Sequence, residues 1–239
     1  MKKKFFLTFT IMITTIVSMV SLGFNIFFLA TKPQTASGIF NACKFSIVEL
    51  KAESENVGTS YGTAVIISDD GTMITNAHNI TYSQLGQTYS FDNISIRFVD
   101  EENYRSANII KFDLNLDLAV IKLDIVDRKL QPIKIGNSTV LNSGDEIFAI
   151  GNLSNKGLSI SKGIVSIPSI NVNYNNFTRN VIQCDLTISD GNSGGALINQ
   201  NEQLIGITSF RLKDQSNNII YGISYCIPIN TVMEYIENN

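Results

Sequence analysis

From Phe45 to the end of the chain, apolar side chains fall into short runs, and almost none of them repeats at helical spacing. Phe45–Leu50, Thr63–Ile67, Thr72–Thr75, Ile94–Val99, Ala107–Phe112, Leu118–Leu123, Glu146–Ile150, Leu158–Ile167, Val181–Cys184, Ala196–Ile198, Leu204–Phe210 and Ile219–Ile227 are all of strand length. Each either alternates or is apolar throughout, the pattern of half-buried and fully buried strands. Asp69-Asp70-Gly71 supplies a hairpin turn between two of them. The pattern predicts an all-β domain, large enough for a sizeable core, closed by one short helix over Asn230–Glu237 with Asn230 as its cap.

The N-terminus has a different character. Lys2-Lys3-Lys4 precedes an uncharged, mostly apolar stretch, Phe5–Thr31, long enough as a helix to cross a hydrocarbon core of about 30 Å. It is either an anchor or a signal sequence, with cleavage candidates after Gly23 and Ala30. Its length favours an uncleaved anchor, because a cleaved signal has an apolar region of only about 7–15 residues. Lysines before the span stay in the cytoplasm, so residues 1–4 are expected inside, 5–31 in the membrane and everything after Lys32 outside. Residues 32–44 read as a polar juxtamembrane linker.

Gly191-Asn192-Ser193-Gly194-Gly195 is the first sign of chemistry. A serine hydroxyl is a poor nucleophile unless a base takes its proton and preorganised amides hold the oxyanion that forms. The glycines leave the Gly191, Asn192 and Ser193 backbone free to build such an oxyanion hole. The only histidine, His78, stands in Thr75-Asn76-Ala77-His78 and is the candidate base. A carboxylate must fix the imidazole tautomer, and Asp117, which opens the apolar run Leu118–Leu123, suits this better than Asp113 in a more polar setting or Asp124 at the far end of the strand. A Ser–Lys pair built on Ser159 or Ser161 with Lys162 is a weaker alternative, since neighbours on a strand point to opposite faces.

The order His, Asp, Ser is that of chymotrypsin, not of subtilisin or the α/β-hydrolases. With Gly62-Thr63-Ala64-Val65-Ile66-Ile67, Asp70–His78, Asp117–Lys122, Ile150-Gly151-Asn152, Gly163-Ile164-Val165-Ser166, Asp190–Leu197 and Gly222–Pro228 in sequence, the chain resembles the protease domain of the Deg/HtrA family of trypsin-like serine proteases. That resemblance implies two six-stranded β-barrels, residues 45–135 and 136–239, with their seam near Gln131–Asn142. His78 and Asp117 would come from the first barrel and Ser193 from the second. It also implies polypeptide substrates, unfolded or damaged extracytoplasmic proteins among them, and a homo-oligomer of three chains. The competing reading is a catalytically inactive peptide-binding or holdase protein that keeps the fold.

Several departures and exclusions follow. Little sequence follows Pro228, so the PDZ domain that many relatives carry is not expected in this chain. In trypsin-like folds the residue six before the nucleophile lies at the base of the specificity pocket. Here it is Thr187, beside Ile188, and with Ile207, Thr208 and Ser209 it would make an uncharged pocket for small or medium apolar side chains. Asn192 replaces the aspartate that pairs with a new N-terminus in digestive enzymes, so control would fall to the loops Leu153–Leu158 and Ser209–Asn218. Asn173–Asn176 and Gln215–Asn218 are polar segments of the kind that rim a cleft. One histidine and three cysteines without CxxC spacing leave no plausible metal set, and no cofactor is expected. Cys184 and Cys226 either pair or remain reduced in the core. A net charge of −3 without a basic stripe argues against nucleic acid.

Overall fold

The computed structural model describes residues 12–22, 34–55, 57–174, 177–189, 191–213 and 218–238. The chain divides into two units, Met1–Gln34 and Thr35–Asn239. In the first, residues 12–22 form helix α1, whose Met12, Ile16, Val17, Met19, Val20 and Leu22 side chains are exposed. Among the described residues no helix is long and apolar enough to cross a membrane. The rest of the expected Phe5–Thr31 span lies outside them.

The second unit begins with helix α2 (Ala36–Cys43), where a linker was expected. The Thr35 side chain caps it, accepting from the Gly38 amide at 3.1 Å, and Ile39 and Cys43 are buried in the core. A polar flank disguised an eight-residue helix whose inner face carries little more than these two side chains.

The first barrel is closed, in the order β1 (Ile47–Ser54), β2 (Gly58–Ile66), β3 (Thr72–Thr75), β8 (Leu118–Leu123), β7 (Arg105–Asp113), β6 (Asn93–Arg97) and back to β1. Between β3 and β6 come the short helix α3 (Ala77–Ile80) and a hairpin of β4 (Thr81–Gln84) and β5 (Gln87–Ser90). The second sheet runs β13 (Ala196–Asn199), β10 (Glu146–Asn152), β11 (Leu158–Tyr174), β12 (Phe177–Cys184), β15 (Ile219–Pro228), β14 (Gln203–Lys213), and β13 also pairs with β14, which closes the ring. A two-residue strand, β9 (Lys134–Ile135), adds to β14 in parallel. These two residues therefore belong to the second sheet, although the sequence placed them at the end of the first barrel.

Strand periodicity explains the core. Along β8, Ala119 and Ile121 point into the first barrel with Leu50, Ile66, Met73 and Ile96, while Leu118 and Val120 point the other way. The outward set, with Ile47, Val65 and Ile74, packs against Phe148, Ile150, Ile198, Ile207 and Ile227 of the second barrel. A strand buried on both faces reads as an unbroken apolar run, as Leu118–Ile121 does. Helix α4 (Ile229–Glu237) completes this shared layer through Ile229, Val232 and Tyr235. It starts one residue earlier than expected, and Asn230 is not its cap. The Asn230 Oδ1 instead accepts from the Ser138 amide at 2.7 Å and its hydroxyl at 2.6 Å.

Candidate active site

A cavity of about 570 Å³ is bordered by His78, Asp117 and Ser193 together, with Ile188, Ser209, Tyr174 and Phe210 among its other walls. His78 lies on α3 directly after β3, and its ring is half exposed. Asp117 ends the turn between β7 and β8 with φ at +59°, a left-handed conformation that non-glycine residues seldom take and that clusters at functional sites. Asp113 builds that turn. Its Oδ1 accepts from the Asn115 and Leu116 amides at 2.7 and 3.0 Å, so it faces its own backbone and not the ring.

His78 Nδ1 stands 2.9 Å from each Asp117 carboxylate oxygen, and the His78 amide donates to Oδ1 at 3.1 Å. An ionised carboxylate only accepts, so the Nδ1 proton points at Asp117 and Nε2 is the ring's basic nitrogen. Burial by itself would push the Asp117 carboxyl up. The facing His78, with hydrogen bonds from His78 and Ser209, outweighs it and holds the group below the usual carboxylate range.

Ser209 is the functional side chain whose role the sequence did not reveal. Placed in the substrate pocket, it does border the cavity, but its hydroxyl donates to Asp117 Oδ2 at 2.7 Å. The ladder between β14 and β15 slips a register between Thr208 and Phe210, and bulges re-aim side chains in this way. The carbonyl of Ser209 accepts the Ser193 hydroxyl at 2.8 Å.

The loop carrying Ser193 needs its glycines. Gly191 has φ +91°, and a Cβ there would lie 2.1 Å from the Asn152 carbonyl oxygen. Gly194, at φ +82°, would meet the Thr63 carbonyl at the same distance. Among the described residues the Gly191 and Ser193 amides have no acceptor, and of the two residues Ser193 borders the cavity. The Asn192 amide differs. It donates to the Ser189 carbonyl at 3.0 Å, and its buried Oδ1 has no partner among the described residues.

The expected pocket assembles only in part. Ile188 and Ser209 border the cavity. Thr187 is exposed instead, its carbonyl accepting the Ser161 hydroxyl at 3.5 Å. Ile207 is core, and Thr208 is buried against Asn192. Tyr174 lies on the wall as the polar-segment reading anticipated; Asn175, Asn176 and residues 215–217 lie outside the described residues. Lys162 is paired with Glu146 at 2.6 Å and is not directed to Ser161. The three cysteines are free and buried. Burial pushes the Cys43 thiol up to about 11. Contact with Cys184, together with burial, raises Cys226 as well.

Two interlocked barrels with this loop between them are the architecture of trypsin-like peptidases, and residues 62–207 match the trypsin-like peptidase domain family, to which the chain belongs. Its relatives there are of Deg and HtrA type. It is 34% identical over 179 residues to a probable periplasmic serine endoprotease DegP-like of Rickettsia conorii, covering 74% of this chain and 33% of that protein. It is 33% identical to the serine endoprotease DegS of Haemophilus influenzae, covering 81% of this chain and 54% of the relative. The chain thus spans between a third and about half the length of these relatives. Among solved structures, the HtrA-type protease AlgW with tripeptide superposes with a TM-score of 0.71 at 27% identity, over 86% of this chain and 64% of that one.

Proposed function

We propose that this protein is a serine endopeptidase in which Ser193 is the nucleophile, His78 the general base and Asp117 the group that orients the imidazole. The observation that carries the reading is the His78–Asp117 contact at 2.9 Å on the wall that also holds Ser193. In the reaction, Ser193 Oγ leaves the Ser209 carbonyl, passes its proton to Nε2 and attacks the scissile carbonyl. The Gly191 and Ser193 amides take the oxyanion. His78 then returns the proton to the leaving amine, and water repeats the cycle on the acyl-enzyme.

The substrate is polypeptide, unfolded or damaged extracytoplasmic protein in particular, in keeping with the periplasmic relatives. Phe5–Thr31 anchors the chain in the membrane, with the peptidase outside. Intact-protein mass spectrometry after an organofluorophosphonate probe tests the chemistry. A single adduct on Ser193, lost in His78→Ala, is expected. A folded protein that binds peptide and takes no label would be the inactive peptide-binding relative instead.

A further inference from the structure

Two threonines, one from each barrel, help to pin the three peptide groups that run through Ser193, alongside the Gly195 amide, which donates to the Asn192 carbonyl at 3.0 Å, and Asn79 Nδ2, which donates to the Ser193 carbonyl at 2.9 Å. Thr63, on β2, donates its hydroxyl to the Gly191 carbonyl at 2.7 Å and its amide to the Ser193 carbonyl at 2.9 Å. The same hydroxyl accepts from the Asn152 amide at 2.8 Å. Thr208, on β14, donates its hydroxyl to the Asn192 carbonyl at 2.5 Å, and its carbonyl accepts the Gly194 amide at 2.8 Å. Both are essentially inaccessible to solvent.

All peptides here are trans, so the C=O and N–H of one unit point opposite ways. Holding the Asn192 carbonyl on Thr208 therefore turns the Ser193 N–H away from the β14 side, and it meets no acceptor among the described residues. Holding the Gly191 carbonyl on Thr63 fixes the next unit upstream, whose Asn192 N–H is already on the Ser189 carbonyl. Neither hydroxyl borders the cavity. We infer that Thr63 and Thr208 are positioning residues, whose hydroxyls orient the 191–193 peptides so that the Ser193 amide faces a developing oxyanion. This rests on the peptidase reading above.

The test uses the full-length protein with Thr63→Val and Thr208→Val, which keep the shape and remove the hydroxyl, and Thr63→Ser and Thr208→Ser, which keep it. Hydrolysis of a fluorogenic peptide and inhibition by a peptide aldehyde, whose hemiacetal oxygen would sit on the same amides, are measured with thermal melting of each variant. The valine variants should lose about 10- to 100-fold in kcat with KM within about twofold, and aldehyde affinity should fall in parallel. The serine variants should stay within about threefold of wild type. A residue that only supports the fold would lower the melting temperature without this kcat-against-KM split or the serine rescue. Should Thr63→Val not fold, Thr208→Val decides, because its hydroxyl reaches only the Asn192 carbonyl. Folded Thr208→Val with wild-type kcat, or a loss that serine does not restore, overturns the inference. If wild type itself neither cleaves nor labels at Ser193, the peptidase reading falls. If wild type cleaves and only the valine variants are indifferent, the reading stands and the threonine role falls alone.

Discussion

The hydroxyl of Ser193 donates to the carbonyl of Ser209 at 2.8 Å. Through its own hydroxyl, 2.7 Å from Asp117, that serine also steadies the carboxylate behind His78. One bulged residue thus touches both Ser193 and Asp117, holding the serine hydroxyl on its backbone and the carboxylate on its side chain. In the proposed reaction the Ser193 proton leaves the Ser209 carbonyl for the His78 ring.

Because the proposed groups act as a unit, Ser193→Ala and His78→Ala should each reduce turnover by about 10⁴–10⁶ while leaving the fold intact. The double variant should be hardly worse than either alone. Single-turnover peptide cleavage by the three proteins measures this, and a Ser193→Ala protein that still degrades casein at the wild-type rate would remove Ser193 from the role. Asp117→Asn should lose about 10⁴, whereas Asp113→Asn, altering a turn-forming carboxylate, should cost far less.

Acid should destabilise the protein partly through Asp117. Its carboxyl is held below the ordinary range when folded, so between the folded and unfolded values the unfolded chain binds more protons. The contribution is fully present above the ordinary carboxylate value, about 3.9, and disappears as pH falls through the depressed folded value. Urea midpoints measured from pH 7 down to pH 3 should decline, and less steeply for Asp117→Asn than for wild type. Parallel curves would show that the buried carboxylate has no such linkage.

Truncation should distinguish a linker from a structural helix. A chain beginning at Thr35 keeps the cap and Ile39 and should melt like the longer protein; one beginning at Lys44 loses buried apolar side chains and should melt well below it. Ile39→Ala alone should cost about 2–5 kcal/mol by chemical denaturation. Equal stability of the two truncated chains would return α2 to linker status.

Anchoring is tested on cell fractions. The full-length protein should remain with membranes through high-salt and carbonate washes, since a helix satisfies its own backbone in lipid, and protease added outside should digest the catalytic domain. A mature terminus at Phe24 or Thr31 would show a cleaved signal and replace anchoring with secretion.

The strands were legible because burial on one or both faces writes itself as alternation or as an apolar run; β3 and β8 begin and end where their patterns do. The sequence singled out His78, Asp117 and Ser193 because the proposed chemistry restricts residue type, and all three border one cavity. Thr208 was misread because chain distance from Ser193 does not say on which side of a strand a residue falls, and one bulge at Ser209 changes that side; Thr187 was misread because it lies beyond the end of β12 in an irregular segment whose course no strand pattern fixes. The β4–β5 hairpin escaped notice because its outer strand, Gln87–Ser90, is exposed throughout and carries no apolar alternation. Thr63 lay within a quoted motif, yet nothing local marks a hydroxyl whose partners are 89 and 128 positions away.

The apolar layer shared by the two barrels has a bearing on how the protein is made. Ile47, Val65, Ile74 and Leu118 find their cover in strands synthesised later, the last of them Ile227 and the residues of α4. A first barrel emerging alone carries a sticky flank, and it presents a histidine and an aspartate with no serine opposite. On the proposed reading, a chain assembled in that order gains its nucleophile only after the first barrel has been made, and its shared apolar layer is complete only once the final strand and helix are in place.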